Sequence, residues 1–210
     1  MLGLLDLVRD TNIDFWVWFN AVQALGQLGH ADEVANIMLG LTHDKRMGNW
    51  VYSAAAEALG QLGHVEEAIA VLLSLVSNKG IEFGVLRSVV QTLGQLGHSS
   101  DAVLSSLFDL AQNKGVDGEV RLAAARALGQ LGHADEAVLS SLLSLTGNSE
   151  ADDQLRLAAV QALGQLGRAD EAILSGLLAL ARDKDVQAGV RSAAYQSLKA
   201  LLGEAEGEKR

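Results

Sequence analysis

The sequence predicts an all-α chain, a right-handed α-solenoid of about six helix pairs with the first pair truncated. Three observations lead there. A seven-residue motif returns along most of the 210 residues at nearly constant spacing. Proline is absent, where average usage would give roughly ten. Apolar residues recur with a helical period, and no segment alternates in the way a half-buried strand requires.

The motif is Ala24-Leu25-Gly26-Gln27-Leu28-Gly29-His30. It returns as Ala58–His64, Thr92–His98, Ala127–His133 and Ala162–Arg168, with a degenerate copy at Ser197–Leu201. Its first leucine stands at 25, 59, 93, 128, 163 and 198, so the spacing is 34, 34, 35, 35 and 35 residues. A period of this length marks one supersecondary unit stacked on its neighbours.

Each unit reads as a helix A followed by a helix B. Helix B is clearest at Val120, Ala124, Ala127, Leu128 and Leu131, which fall on one face of a 3.6-residue period. The alanines admit a neighbouring helix closely, and Gly129 serves the same approach. Gly132 fits the left-handed position that ends a helix. His133 stands near the start of the next helix A, with Asp135 and Glu136 complementing the dipole of its first turn. His30, His64, His98 and His133 share this register and are expected to cap helices. In the first unit the core of helix B is expected at Val17, Ala21, Leu25 and Leu28. Arg121, Arg156 and Arg191 share a structural register in which Trp18 and Tyr52 stand earlier in the chain.

Gly3–Asp10 aligns with Gly176–Asp183 without a gap, so the chain is expected to open in the middle of a helix A. One array is expected over 1–203, with helix B ending near 29, 63, 97, 132, 167 and 202. Residues 204–210 read as a polar, frayed tail.

In its Val120-Arg121 through Gly132 signature the unit resembles HEAT-like repeats, and the resemblance covers nearly the whole chain. It is similar to the short HEAT-like repeats of bacterial origin, including those appended to NACHT-type NTPases. It is also similar to artificial αRep scaffolds, in which the concave face of helix B is varied to bind chosen proteins. The resemblance implies an α-solenoid that recognises a protein partner through that face, whether natural or engineered and selected. A sensor segment of a NACHT-type NTPase is the first alternative. A HEAT-like chromophore lyase, or a self-associating structural module, is the alternative of another class.

Composition narrows the function. Lys plus Arg number 16 against 26 Asp plus Glu, for a net charge of −10. Nucleic-acid binding rests on cationic contacts to phosphate, so none is expected. No apolar run is long enough to span a bilayer, and no basic leader precedes the amphipathic start. Cysteine is absent, which removes disulfides, thiol catalysis and thiolate metal sites and fits a cytoplasmic protein. Equivalent histidines in stacked units stand roughly 10 Å apart, whereas zinc takes its nitrogens at about 2.0–2.1 Å. No metal and no cofactor are expected. Gly-Gln-Leu-Gly follows no strand and lacks the Lys-Ser/Thr of a phosphate loop. The carboxylates at helix starts repeat as a structural device does, so no catalytic set stands out and no enzyme is expected.

The asymmetry of the chain is aromatic. Seven of its nine aromatic residues lie in helix B of the first three units: Phe15, Trp16, Trp18, Phe19, Trp50, Tyr52 and Phe83. With the core placed as above, Trp16, Phe19 and Gln23 point to another face. Their counterparts are Trp50, Ser53 and Glu57, then Arg87 and Gln91. The protein-binding site is expected at Phe15, Trp16, Phe19, Gln23, Trp50, Ser53, Glu57, Phe83, Arg87 and Gln91, since exposed aromatics dominate binding hot spots. A homodimer through the same N-terminal aromatic surface is the other partner the pattern suggests. The competing role for Trp16, Trp18 and Phe19 is to cover the open N-terminal end.

Overall fold

The computed structural model describes residues 2–10, 13–43, 49–131, 136–147 and 152–207. Among them are twelve α-helices and no strand. They follow as six A–B pairs: α1 (Leu2–Arg9) and α2 (Phe15–Gln27); α3 (Ala31–His43) and α4 (Asn49–Gln61); α5 (Val65–Val76) and α6 (Phe83–Leu96); α7 (Asp101–Gln112) and α8 (Gly118–Gln130); α9 (Glu136–Gly147) and α10 (Asp153–Gln165); α11 (Glu171–Arg182) and α12 (Ala188–Gly207). The chain divides into two compact units, Met1–Thr92 and Leu93–Arg210, with the boundary inside α6.

Each unit has two layers. In the second, α7 packs on α8, α9 on α10 and α11 on α12, while the B helices α8, α10 and α12 touch in succession and so do the A helices α7, α9 and α11. In the first, α1 packs on α2 and α3 on α4, with α1 against α3 and α2 against α4. The architecture is that of an α-solenoid. Its core is the repeated leucine: Leu25, Leu59, Leu93, Leu128 and Leu163 are each at most 1% exposed.

The two glycines of the motif do different work. The second ends the helix. Gly29, Gly63, Gly97 and Gly167 have φ of 84°, 90°, 66° and 67°, a region that L side chains rarely occupy. Gly132, expected in the same role, lies outside the described residues. After Gly29 the His30 N–H donates to Leu25 O at 3.0 Å, and after Gly63 the His64 N–H donates to Leu59 O at 2.9 Å. These bonds close a Schellman turn. The first glycine admits the next helix: a Cβ on Gly129 would lie 2.5 Å from Ala162 Cβ, and one on Gly94 would lie 2.9 Å from Ala127 Cα.

The histidines act through the backbone. His30 O accepts from Val34 N and His64 O from Ala68 N, both at 3.0 Å, so each residue ends one helix and starts the next. His64 stands at the N-cap of α5, as expected, though its side chain makes no capping hydrogen bond. Its Nδ1 faces Glu67 at 3.6 Å and its Nε2 faces Asp32 at 3.3 Å, while His30 Nδ1 faces Glu33 at 3.5 Å. In the 35-residue units helix A starts three residues after the equivalent position, and other side chains lead it. Ser100 caps α7, accepting from Val103 N at 3.4 Å. Before α11, Arg168 Nε and Asp170 Oδ2 form an ion pair at 2.9 Å.

The arginine register ties helix B to the end of its helix A. Arg121 Nε donates to Ala111 O at 3.3 Å and Arg156 Nε to Thr146 O at 3.2 Å, each ten residues back. Trp18 does the same with its indole: Nε1 donates to Val8 O at 3.0 Å, also ten residues back, and the ring is buried. Arg121 reaches further, since its Nη1 pairs with Asp152 Oδ2 of the next unit at 2.9 Å. Asp152 Oδ1 meanwhile caps α10 by accepting from Leu155 N at 2.8 Å.

The expected core of α2 needs correction. Ala21 and Leu25 are buried, but Val17 is 48% and Leu28 62% exposed. The buried set is Trp18, Ala21, Val22 and Leu25. Val17, Ala24 and Leu28 form a stripe whose later counterpart Ala162 faces the preceding B helix; α2 has none before it in the order of elements. At the other end α12 continues past 202 to Gly207. Leu202 occupies the register where Gly167 turns left-handed, so nothing there stops the helix.

Candidate functional site

Seven of the ten residues expected to bind a partner lie at a real surface. Trp16 is 66% and Phe83 54% exposed; Gln23, Arg87 and Gln91 are exposed, while Phe19 and Glu57 are half-buried. The register is open in later units too, at Glu119 and Gln154 for the Trp16 position and at Arg126 and Gln161 for the Gln23 position. Aromatic side chains thus stand where other units place polar ones.

Ser53 is corrected: it is buried at 6%. Its register carries the half-buried Phe19 and the exposed Arg87, so side-chain length decides. A serine on α4 is too short to rise above the α2, α3 and α5 helices packed around it. The side chains of Phe15 and Trp50 lie outside the described residues. Trp18 is buried with its indole bonded to Val8 O of α1, whereas Trp16 is exposed.

The polar members join across helices. Gln23 Nε2 donates to Gln61 Oε1 at 3.2 Å, and Gln61 Nε2 donates to Glu57 Oε1 at 3.5 Å. This ladder links α2 and α4 beside Trp16 and Phe19 in the helix order. Gln61 was missed because the Gly-Gln-Leu-Gly segment reads as a helix end. Only its recurrence as an exposed residue after each first glycine hints at a surface role.

A second surface was missed altogether. An apolar groove of about 820 Å3 runs between α11 and α12, lined by Leu174, Leu178, Tyr195, Leu198, Lys199 and Leu202. The first surface carries aromatic and polar side chains, and the groove is mainly aliphatic. Among the described residues no three His, Asp or Glu side chains are grouped so as to hold a metal ion. No helix among them is long and apolar enough to cross a membrane.

The known proteins that resemble this chain are consistent with that architecture. Residues 104–200 match the family described as the vitellogenin TPR domain, and residues 51–78 match the PBS lyase HEAT-like repeat. Curated proteins show no match. A designed armadillo repeat protein superposes with a TM-score of 0.55 at 17% identity, over 95% of this chain and 98% of its own. Human deoxyhypusine hydroxylase, in complex with glycerol, has a TM-score of 0.35 at 17% identity, over 96% and 95% of the two chains. The repeated motif, the layered A–B pairs, the repeat-family matches and the likeness to the designed armadillo repeat protein together make the chain a helical repeat protein of the α-solenoid class.

Proposed function

We propose that the chain is a non-enzymatic scaffold that binds a protein partner through the outward edge of its first three B helices. One observation carries the reading. Trp16 and Phe83 are more than half exposed in two adjacent registers that stay at the surface in later units, at Glu119 and Gln154 and at Gly118 and Asp153, where a solvated helix has no use for aromatic rings. Phe19 lies one turn from Trp16 on α2, and Gln23, Glu57, Arg87 and Gln91 add polar side chains on the same three B helices, a mixture of aromatic and polar residues usual at an interface. The absence of cysteine fits action in the cytoplasm.

The test is a comparison of partners captured by the wild-type chain and by Trp16→Ala and Phe83→Ala chains. A true partner should bind the wild type and lose affinity by about thirtyfold or more with either variant, the cost of an anchor worth ~2 kcal/mol. Helicity and melting should stay unchanged, because neither ring is core. A drop in stability with no change in any captured partner would refute the proposal.

A further inference from the structure

α1 and α2 on one side, and α11 and α12 on the other, expose faces whose equivalents inside the second unit pack on each other. We propose that α11 and α12 of one copy of this chain receive α1 and α2 of a second copy, so that copies join head to tail.

The argument starts from how α9 and α10 receive α11 and α12. There Leu143 rests where a Cβ on Gly176 would lie, 2.9 Å from its Cδ2. The position equivalent to Leu143, one repeat on, is Leu178, which is 40% exposed. The position equivalent to Gly176 at the start of the chain is Gly3, where a Cβ would meet nothing within 4 Å. Val160 is fully buried, whereas its equivalent Tyr195 is 64% exposed. Facing it from a second copy would be the α2 stripe of Val17 and Leu28, 48% and 62% exposed.

Charge agrees with shape. Between units, Arg121 Nη1 pairs with Asp152 Oδ2 at 2.9 Å. Two repeats after Arg121 stands Arg191, half-buried, with Nη1 donating to Lys184 O at 3.3 Å. The residue in the Asp152 register before α2 is Asp14, whose Oδ1 accepts from Val17 N at 3.4 Å, as Asp152 Oδ1 accepts from Leu155 N at 2.8 Å. Docking in the inner-repeat geometry brings Arg191 of one copy to Asp14 of the next.

One residue tempers the contact. Lys199 replaces the glycine that admits the next B helix at 94, 129 and 164. Its side chain can lie along the groove with the ammonium in water, but its Cβ holds the incoming helix away. The association is therefore weaker than stacking within the chain. The contact joins unlike surfaces, so it propagates into rings or filaments instead of stopping at a dimer.

Sedimentation of the full 210-residue chain over a wide concentration range tests this. The average mass should climb past that of a dimer. Leu178→Glu and Val17→Glu should each abolish the rise, and an equal mixture of the two should stop at a dimer, since only one good head and one good tail remain. Lys199→Gly should tighten association by about tenfold or more, as relief of a steric block worth ~1.4 kcal/mol or more would. Trp16→Ala should leave it unchanged. A chain that is monomeric throughout overturns the proposal. So does self-association that survives Leu178→Glu or is lost in Trp16→Ala, which assigns the contact to the aromatic surface.

Discussion

Glycine to alanine should change stability in opposite directions at three positions of this chain, for three separate reasons. Gly40 lies within α3, exposed, and a Cβ there meets nothing within 4 Å. Gly40→Ala gains only helix propensity and should stabilise by up to about 1 kcal/mol. Gly129 has the same gain available and loses more. Its added Cβ would lie 2.5 Å from Ala162 Cβ and 3.0 Å from Ala162 Cα. An ordinary carbon contact needs about 3.5–4.0 Å, so α10 must back away from α8 by roughly 1 Å. Part of that contact is backbone, so no rotamer change relieves it. Overpacking of this kind costs typically 1–3 kcal/mol, which leaves Gly129→Ala destabilising by up to about 2 kcal/mol after the propensity gain. At roughly 2–4 °C per kcal/mol for a chain of this size, melting should fall by up to about 8 °C. Gly63→Ala meets no neighbour but imposes a side chain on φ of 90°, and should cost about 1–2 kcal/mol from backbone strain alone. Far-UV circular dichroism during thermal and urea unfolding measures all three. If Gly129→Ala stabilises as Gly40→Ala does, the close approach of the B helices is not what that glycine provides.

Three further outcomes follow from the same structure. Trp18→Phe keeps most of the buried ring but leaves Val8 O without its donor; it should cost about 1–3 kcal/mol in urea unfolding. Arg121→Met removes both the bond to Ala111 O and the pair with Asp152, and should cost about 1.5–3 kcal/mol by the same measurement. Leu128→Ala opens the core at a fully buried position and should cost about 2–5 kcal/mol, whereas Leu28→Ala, in the stripe left exposed on α2, should cost far less.

Much of this architecture is a matter of period, and period is written in the sequence. A motif that recurs every 34 or 35 residues specifies helix pairs, their order and the leucine of the core, because each unit meets the same neighbours. The left-handed turn at Gly63 and the close approach at Gly129 followed from the same reading, since a missing Cβ has few uses inside a helical pattern. The arginine register was also legible, though not that Trp18 supplies its donor with an indole. What the repeat cannot contain is the difference between an inner unit and an end unit. Val17 and Leu28 carry the residue types of the core and yet lie open, because burial belongs to the neighbour that packs on a residue and not to the residue type. Ser53 sits in the same register as Phe19 and Arg87 but sinks below the surface, because the surrounding helices set how long a side chain must be to reach solvent. Tyr195, Leu178 and Lys199 look like scattered residues until α11 and α12 fold together and line a groove with them. Periodicity assigns each residue to a position within its unit; only the packed helices decide whether that position has anything on the other side.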